Sequence, residues 1–152
     1  METARTEQNP DAHSTLLVGV YALVVEDDPD SSELVEIVLR RFGAEVTCVA
    51  TVSAALSALE ARRPDVLISD IGLPDEDGLA LIRRVRKTEG LACLPAVALS
   101  AYASRNDVRQ ALAAGFQSHV AKPLEPSQLG NIIANLVSAY RNTELRPRNE
   151  SL

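Results

Sequence analysis

The stretch that decides the fold is Val66-Leu67-Ile68-Ser69-Asp70, a short apolar run that ends on an acid. Consecutive apolar residues, mostly β-branched, are typical of a strand that is buried on both faces of a parallel sheet. We predict a strand over residues 65–69, which Asp70 follows directly. Polar residues also follow an apolar run in three other segments: Val25-Glu26-Asp27-Asp28, Leu99-Ser100 and Ala121-Lys122-Pro123.

Segments of helical periodicity alternate with the apolar runs. The predicted strands are residues 21–25, 45–49, 65–69, 96–99 and 119–121. The helices are predicted to begin near Asp30 or Ser31, at Ser53, after Gly78, at Ser104 and at Pro126. Strands that alternate with helices indicate βαβ units and a parallel sheet. We therefore predict an α/β protein with a doubly wound, flavodoxin-like (βα)5 sheet in the strand order 2-1-3-4-5.

The composition favours one domain with polar ends. The chain has 152 residues, of which 46% are hydrophobic, and this is enough for one buried core. We predict a flexible N-terminal leader over residues 1–20, a folded domain over 21–141 and a polar C-terminal tail over 142–152. In the first helix, Leu34 and Val35 should lie on the buried stripe.

Charge and cysteine content exclude several classes of function. The formal net charge of -6 argues against a nucleic-acid-binding surface and favours a protein partner or a cation. No apolar run approaches the roughly 20 residues of a bilayer span, and no signal-peptide pattern opens the chain. We therefore expect a cytoplasmic protein without membrane insertion. Cys48 and Cys93 lack neighbours in zinc-ligand spacing, and we expect them to be buried free thiols.

The polar residues after the strands predict an acidic site. In a doubly wound sheet, ligands bind beyond the carboxyl ends of the strands, at the point where the strand order reverses. That point lies between the first and third strands and should bring Glu26, Asp27 and Asp70 together. Three close carboxylates repel one another, so a divalent oxygen-ligated cation such as Mg²⁺ suits them, as does a phosphoryl group. The neighbouring Asp28 and Asp30 are expected to be helix caps or solvated loop acids.

These motifs occur in the order and spacing of a known family. From about Tyr21 to Tyr140, the chain resembles the receiver domains of two-component response regulators, and most closely the receivers of hybrid sensor kinases. The segments that carry the resemblance to receivers are Glu26-Asp27, Ser69-Asp70-Ile71-Gly72-Leu73-Pro74-Asp75, Ser100 and Lys122-Pro123. The likeness to hybrid sensor kinases is carried by residues 98–103 and 113–123. The resemblance implies a phosphoacceptor signalling domain. Such a domain is not an enzyme beyond its own phosphorylation and autodephosphorylation.

The resemblance also implies a role for each acidic residue. Asp70 would accept the phosphoryl group from a histidine kinase or a histidine phosphotransfer protein. Asp27, Asp70 and the backbone carbonyl of Gly72 would ligate Mg²⁺. Glu26, which stands where an aspartate is commoner, would act on the metal through a water molecule.

Three further residues complete the implied set. Ser100 would be the switch hydroxyl, and Lys122, followed by a cis proline, would contact the phosphoryl group. A lysine in an arginine-rich chain fits this role, because its ammonium delivers a point charge to one oxygen. His119 stands at the position of the family's aromatic switch residue. Packing alone is the competing interpretation for His119, and helix capping is that for Ser100.

We therefore predict a single-domain response regulator. Its phosphorylation would change a surface formed by the fourth helix, the fifth strand and the fifth helix, to which a downstream protein binds; a homodimer is left open. The alternative is a phosphate-relay intermediate or a detached receiver of a hybrid histidine kinase. An aspartate-nucleophile phosphatase is disfavoured because Asp70-Ile71-Gly72 lacks a second acid. An interaction module with a silent pocket is disfavoured because every pocket group is present.

Overall fold

A computed structural model describes residues 15–101 and 104–145 of the chain, and in these ranges five strands alternate with five helices. The strands are β1 Tyr21–Val25, β2 Glu45–Val49, β3 Val66–Asp70, β4 Ala96–Ser100 and β5 Ser118–Ala121. The helices are α1 Pro29–Arg41, α2 Val52–Ala61, α3 Gly78–Lys87, α4 Arg105–Ala114 and α5 Pro126–Leu145.

The strands form one parallel sheet in the order β2-β1-β3-β4-β5, which confirms the predicted topology. At the carboxyl edge, the paired residues are Val25 with Ser69, Asp70 with Leu99, and Ser100 with Ala121. The strand ends are therefore nearly level. The chain winds away from the middle of the sheet in both directions, so β1 and β3 flank the point where the strand order reverses.

The core lies in two layers, one on each face of the sheet. Val24 and Ile68 pack in the layer that α1 and α5 cover, whereas Leu23 and Leu67 pack in the layer of α2, α3 and α4. This division follows from the alternation of side chains along a strand. Burial of each such large aliphatic side chain contributes about 2 kcal/mol, so the central strands are held firmly from both sides.

The predicted boundaries of the domain need correction at both ends. Leu17 is fully buried, and its N–H donates a hydrogen bond to the carbonyl of Phe42 at 2.7 Å. The predicted leader is therefore wrong for residues 15–20, because Leu17 and Val20 are buried in the core and Leu16 packs against it, although Val18 is 62% exposed; residues 1–14 lie outside the described ranges. Helix α5 continues to Leu145, past the predicted boundary at 141, and residues 146–152 are not described.

Three side chains that we expected to be buried are not fully buried. Leu34 is 46% exposed, because the buried stripe of α1 consists of Val35, Val38 and Leu39 and Leu34 lies about 100° around the helix from Val35. Cys48 is half-buried and Cys93 is exposed; both are free thiols. No helix in the described ranges has the length and apolarity needed to cross a membrane.

Two helices begin slightly earlier than predicted: α1 begins at Pro29 rather than at Asp30 or Ser31, and α2 begins at Val52 rather than at Ser53. Asp28 is the N-cap of α1, and its carboxylate accepts a hydrogen bond from the N–H of Ser31. Ser104 and Asp107 form a capping box at the start of α4. Gly115 ends α4 at a φ of 135°, a conformation that disfavours any residue with a side chain. The N-caps fix where the chain enters α1 and α4, and Gly115 fixes where it leaves α4 towards β5.

Candidate functional site

Three carboxylates meet at the carboxyl edge of the sheet, where β1 and β3 lie side by side. Glu26 and Asp27 follow β1, and Asp70 is the last residue of β3. One carboxylate oxygen from each of the three lies within 4.8 Å of the other two. Among the described residues, this is the only such group of potential metal ligands. The structure thus brings the three predicted acids together.

Lys122 links two of these acids. Its Nζ donates hydrogen bonds to Glu26 Oε1 at 2.5 Å and to Asp70 Oδ2 at 3.2 Å. The other oxygen of Glu26 accepts the N–H of Asp28 at 3.1 Å. The side chain of Glu26 is 0% exposed and that of Lys122 is 20% exposed. Both oxygens of Glu26 are therefore engaged by the protein, whereas Asp27 is exposed to solvent.

The charges in this group are not balanced. Burial raises the pKa of Glu26, which the hydrogen bond from Lys122 opposes and the neighbouring Asp70 reinforces. Burial alone would lower the pKa of Lys122, but Glu26 and Asp70 outweigh that effect and the net direction is upward, so Lys122 stays an ammonium at neutral pH. Counted by formal charge, three carboxylates and one ammonium leave two negative charges, which one divalent cation would neutralise.

Strands β4 and β5 place the remaining pocket residues. The N–H of Lys122 donates a hydrogen bond to the carbonyl of Ser100 at 2.9 Å, so the β4–β5 ladder continues one residue past β5. Ser100 is 5% exposed. The peptide bond between Lys122 and Pro123 is cis, as the resemblance implies. Ser100 and Lys122 are therefore held side by side at the same edge of the sheet as the acids.

His119 lies on the face of the sheet that α4 covers. Its neighbour Val120 belongs to the core layer of α1 and α5, so His119 points to the opposite face. The Nε2 atom of His119 is buried and has no hydrogen-bond partner among the described residues. Burial lowers the pKa of His119, while the charge of Asp107 on α4 opposes that shift. The imidazole is therefore neutral at neutral pH and partly enclosed between β5 and α4.

Gly72 lies two residues past Asp70, at the start of the β3–α3 loop. Its N–H donates a hydrogen bond to Asp70 Oδ1 at 3.3 Å. Gly72 is exposed, and a Cβ built on it would meet no atom within 4 Å. The turn after β3 therefore folds back around the Asp70 carboxylate without any side chain from Gly72.

Gly78 is a site residue that the sequence did not reveal beyond its place in a turn-rich loop. A Cβ at this position would lie 2.3 Å from the backbone oxygen of Asp70 and 2.9 Å from the Cα of Ile71. The N–H of Gly78 also donates a hydrogen bond to the carbonyl of Ile71 at 2.6 Å. Only glycine lets the start of α3 approach the end of β3 this closely. The usable signal was a glycine at the first position of a helix, directly after its capping residue Asp77.

Comparison with known proteins agrees with this geometry. Residues 22–134 match the response regulator receiver domain family. A 14.6 kDa protein of Leptolyngbya boryana, described as uncharacterized and encoded in the sodA1 3' region, is 41% identical over 124 residues, which cover 82% of this chain and 95% of that protein. Hybrid signal transduction histidine kinase D of Dictyostelium discoideum is 31% identical over 146 residues, which cover 90% of this chain but 9% of the kinase.

A solved structure shows the same architecture. The receiver domain of sensor histidine kinase PA1611 from Pseudomonas aeruginosa PAO1, described with a magnesium ion coordinated in its active site cleft, is 33% identical, with a TM-score of 0.74. The match covers 78% of this chain and 98% of that domain. The family match spans most of the chain and includes the acids after β1 and β3. The chain therefore belongs to the response regulator receiver domain family of two-component signalling.

Proposed function

We propose that this receiver domain accepts a phosphoryl group on Asp70 from a histidine kinase or a histidine phosphotransfer protein, in a Mg²⁺-dependent reaction in the cytoplasm. The observation that carries the proposal is the contact of Lys122 Nζ with Asp70 Oδ2, 3.2 Å, within a group of three carboxylates. The side chain of Asp70 is 14% exposed, so it is accessible, whereas Glu26 is enclosed.

The chemistry requires charge compensation above all. An oxygen of Asp70 forms a bond to phosphorus, and the bond from phosphorus to the donor nitrogen breaks, leaving the electron pair on the donor imidazole. Because an anionic carboxylate attacks an anionic group, fixed positive charge beside it lowers the barrier. Lys122 supplies such a charge from its place next to Asp70 Oδ2. Bound Mg²⁺ would add charge neutralisation and orient the phosphoryl oxygens.

The donor set fits a hard cation with oxygen ligands. Asp27 and Asp70 offer carboxylates, and Gly72 offers a backbone carbonyl close to them in the chain. Mg²⁺ keeps several waters when proteins bind it, so a site with few protein ligands suits it. Glu26 acts through water in this proposal, because both its oxygens already accept hydrogen bonds from Lys122 and Asp28.

The test is phosphorylation by acetyl phosphate with and without Mg²⁺, measured by the mass of the intact protein. Asp27→Asn should weaken Mg²⁺ binding by about tenfold or more and slow phosphorylation at low Mg²⁺, because it removes one ionic ligand. The matched control is Asp30→Asn, which makes the same charge change at an exposed position in the first turn of α1. Equal Mg²⁺ titrations for the two variants would contradict the ligand assignment.

An apolar surface beside the acceptor supports a protein donor. On α1, Leu34 and Ile37 are 46% and 43% exposed. Leu34 lines a pocket of about 370 Å³, together with other side chains of α1 and of the segment after β5, and Lys122 also lines it. Exposed apolar side chains around a pocket are typical of a protein-binding surface. A donor protein seated there would bring its histidine to the edge that carries Asp70.

The output proposed for this domain is a change in the surface formed by α4, β5 and α5. Ser100 would turn towards the phosphoryl oxygen, and His119, whose backbone pairs with Ala98 two residues before Ser100, would move into the space it leaves. His119→Ala should then be phosphorylated at a rate within about twofold of the parent. Its phosphorylation-induced amide shifts on the α4, β5 and α5 surface should be smaller than those of the parent.

The matched control for His119 is Ser118→Ala, a truncation on the same strand whose side chain points to the other face. It should keep the parent's amide shifts. If His119→Ala keeps them as well, His119 is a packing residue and has no part in the switch.

A second arrangement is the relay form, in which the domain passes its phosphoryl group on or belongs to a hybrid kinase. Its support is the likeness to hybrid kinase D and to the PA1611 receiver. The Leptolyngbya relative, of which this chain covers 95%, supports the stand-alone arrangement with a downstream protein partner. Rapid loss of label from phosphorylated chain to a histidine phosphotransfer protein would favour the relay; a homodimer formed only after phosphorylation would favour the stand-alone regulator.

A further inference from the structure

Asp75 joins the loop after the acceptor strand to a different helix. Its Oδ1 accepts a hydrogen bond from the N–H of Val52, and its Oδ2 accepts one from the N–H of Ser53, both at 3.0 Å. These are the first two residues of α2, which lie 23 and 22 positions earlier in the chain. The helix has its own N-cap, Thr51, whose hydroxyl accepts the N–H of Ala54 at 3.0 Å. Asp75 therefore supplies a second cap from outside the helix.

The connection made by Asp75 bridges β1, the strand that Glu26 and Asp27 follow. Asp75 lies in the β3–α3 loop and α2 follows β2, whereas β1 lies between β2 and β3 in the sheet. The carboxylate suits its place, because a helix N-terminus has free N–H donors and a partial positive charge. The two hydrogen bonds hold the pKa of Asp75 below its usual value, that from Val52 having the larger effect. The Asp75 carboxylate is therefore ionised at neutral pH and accepts both hydrogen bonds.

The other anchors of this loop lie on both sides of Gly72: Ile71 and Leu73 pack against the core, and the N–H of Gly72 bonds to Asp70. Ile71 is tied to β4 through its N–H and the carbonyl of Leu99, and Gly78 closes the base of the loop. Gly72 has no side chain that packs, so the direction of its carbonyl depends on the anchors on either side of it. The next polar anchor along the loop is Asp75, three residues away and therefore no more than about 11 Å along the chain.

We propose that Asp75 is a positioning residue that holds the Gly72 carbonyl in place for the metal by fixing the β3–α3 loop to the start of α2. The proposal rests on the proposed function, in which Gly72 completes the Mg²⁺ ligands. Loss of the carboxylate frees the middle of the loop, so part of the binding free energy of Mg²⁺ is spent on ordering it. The residue acts on metal affinity without touching the metal or the phosphoryl group.

The test compares Asp75→Ala with Thr51→Ala, because each removes a cap of the same helix but only the first detaches the loop. Mg²⁺ is titrated as MgCl₂ against the backbone amide shifts of residues 70–72. We expect about a tenfold rise in the dissociation constant for Asp75→Ala, the lower end of the effect of residues that support metal ligands. We expect the parent's value for Thr51→Ala. Amide exchange should quicken at Val52 and Ser53 in the first variant and at Ala54 in the second.

Phosphorylation by acetyl phosphate gives a second readout. In Asp75→Ala, the Mg²⁺ concentration for half the maximal rate should rise by the same factor, while the rate at saturating Mg²⁺ stays within about twofold of the parent. Asp75→Asn, which keeps one acceptor oxygen, should give an intermediate dissociation constant and serves if Asp75→Ala does not fold.

Three outcomes would overturn the proposal: an unchanged dissociation constant in Asp75→Ala despite faster exchange at Val52, a rise of equal size in Thr51→Ala, or a parent-like Asp75→Asn. Failure of the proposed function is separate, because it would show as a parent protein whose amides at residues 70–72 do not respond to Mg²⁺.

Discussion

Asp70→Asn is expected to abolish phosphorylation of this domain altogether. The amide is a poor nucleophile and carries no negative charge, whereas the Asp70 carboxylate lies at the end of β3 with Lys122 Nζ 3.2 Å from its Oδ2. After incubation with acetyl phosphate and Mg²⁺, the parent should gain one phosphoryl group by intact mass and the variant none. The expected loss is complete, because Glu26 is buried with both oxygens engaged, and the Lys122 ammonium contacts Glu26 and Asp70 but not Asp27.

Asp27→Asn is the comparison that separates an acceptor from a ligand. It should still be phosphorylated on Asp70, only more slowly, and raising Mg²⁺ should recover part of the rate. A stable phosphoryl adduct on the Asp70→Asn variant, located by peptide mapping to Asp27 or elsewhere, would contradict the assignment of Asp70 as the sole acceptor.

Lys122→Met is expected to have the largest effect on stability of the changes considered. The variant leaves the Glu26 carboxylate enclosed without its ammonium, because Glu26 is 0% exposed in its side chain. Breaking a buried ion pair costs about 3 kcal/mol at the lower end, which suits a lysine that is still partly exposed. A domain of this size loses about 2–4 °C of Tm per kcal/mol, so Tm should fall by about 6–12 °C. Phosphorylation should slow strongly as well.

The pH dependence of this deficit identifies its cause. Without the ammonium, the pKa of Glu26 in the folded state rises further above the ordinary value of 4.5. The folded state then binds a proton that the unfolded state has lost, so stability falls as pH rises through the raised pKa and recovers as pH is lowered towards that ordinary value. The Tm gap between Lys122→Met and the parent should therefore narrow from pH 7 towards pH 5.

The double variant Glu26→Gln with Lys122→Met is the control. Removing both charges should restore most of the lost Tm, because the carboxylate that lacked a partner is gone. A double variant that is as unstable as Lys122→Met would show that packing of the lysine stem causes the loss.

The parts of the fold and site that the sequence predicted share one physical basis. A strand buried on both faces leaves an apolar run that ends where polar residues begin, and Ile68, Leu99 and Val120 mark such runs. Since parallel strands end at one edge, the residues after those runs, Asp70 and Lys122 among them, had to meet. The local pattern of apolar residues was therefore enough to predict which distant residues would lie together at the site.

The features that the sequence did not predict depend on contacts with no local pattern. The hydrogen bonds of Asp75 go to residues more than twenty positions away, and nothing in a turn-rich loop marks which of its acids will find a helix end. Gly78 is needed because the start of α3 lies so close to the end of β3 that a Cβ at this position would overlap the backbone of Asp70. Leu17 packs in the same core cluster as Phe42, to whose carbonyl its N–H is hydrogen-bonded, although it precedes the first strand and follows a polar segment of the chain.

The bridge from Lys122 to Glu26 also bears on how the domain forms during synthesis. The three carboxylates all belong to the first 70 residues, whereas their ammonium partner emerges 96 residues after Glu26. When β1, β2 and β3 have left the ribosome, the three carboxylates have been synthesised but Lys122 has not. Because an unpaired charge is costly to enclose, Glu26 stays hydrated or protonated until β5 docks against β4. Closure of the site around Glu26 therefore requires the segment that follows the last strand of the sheet.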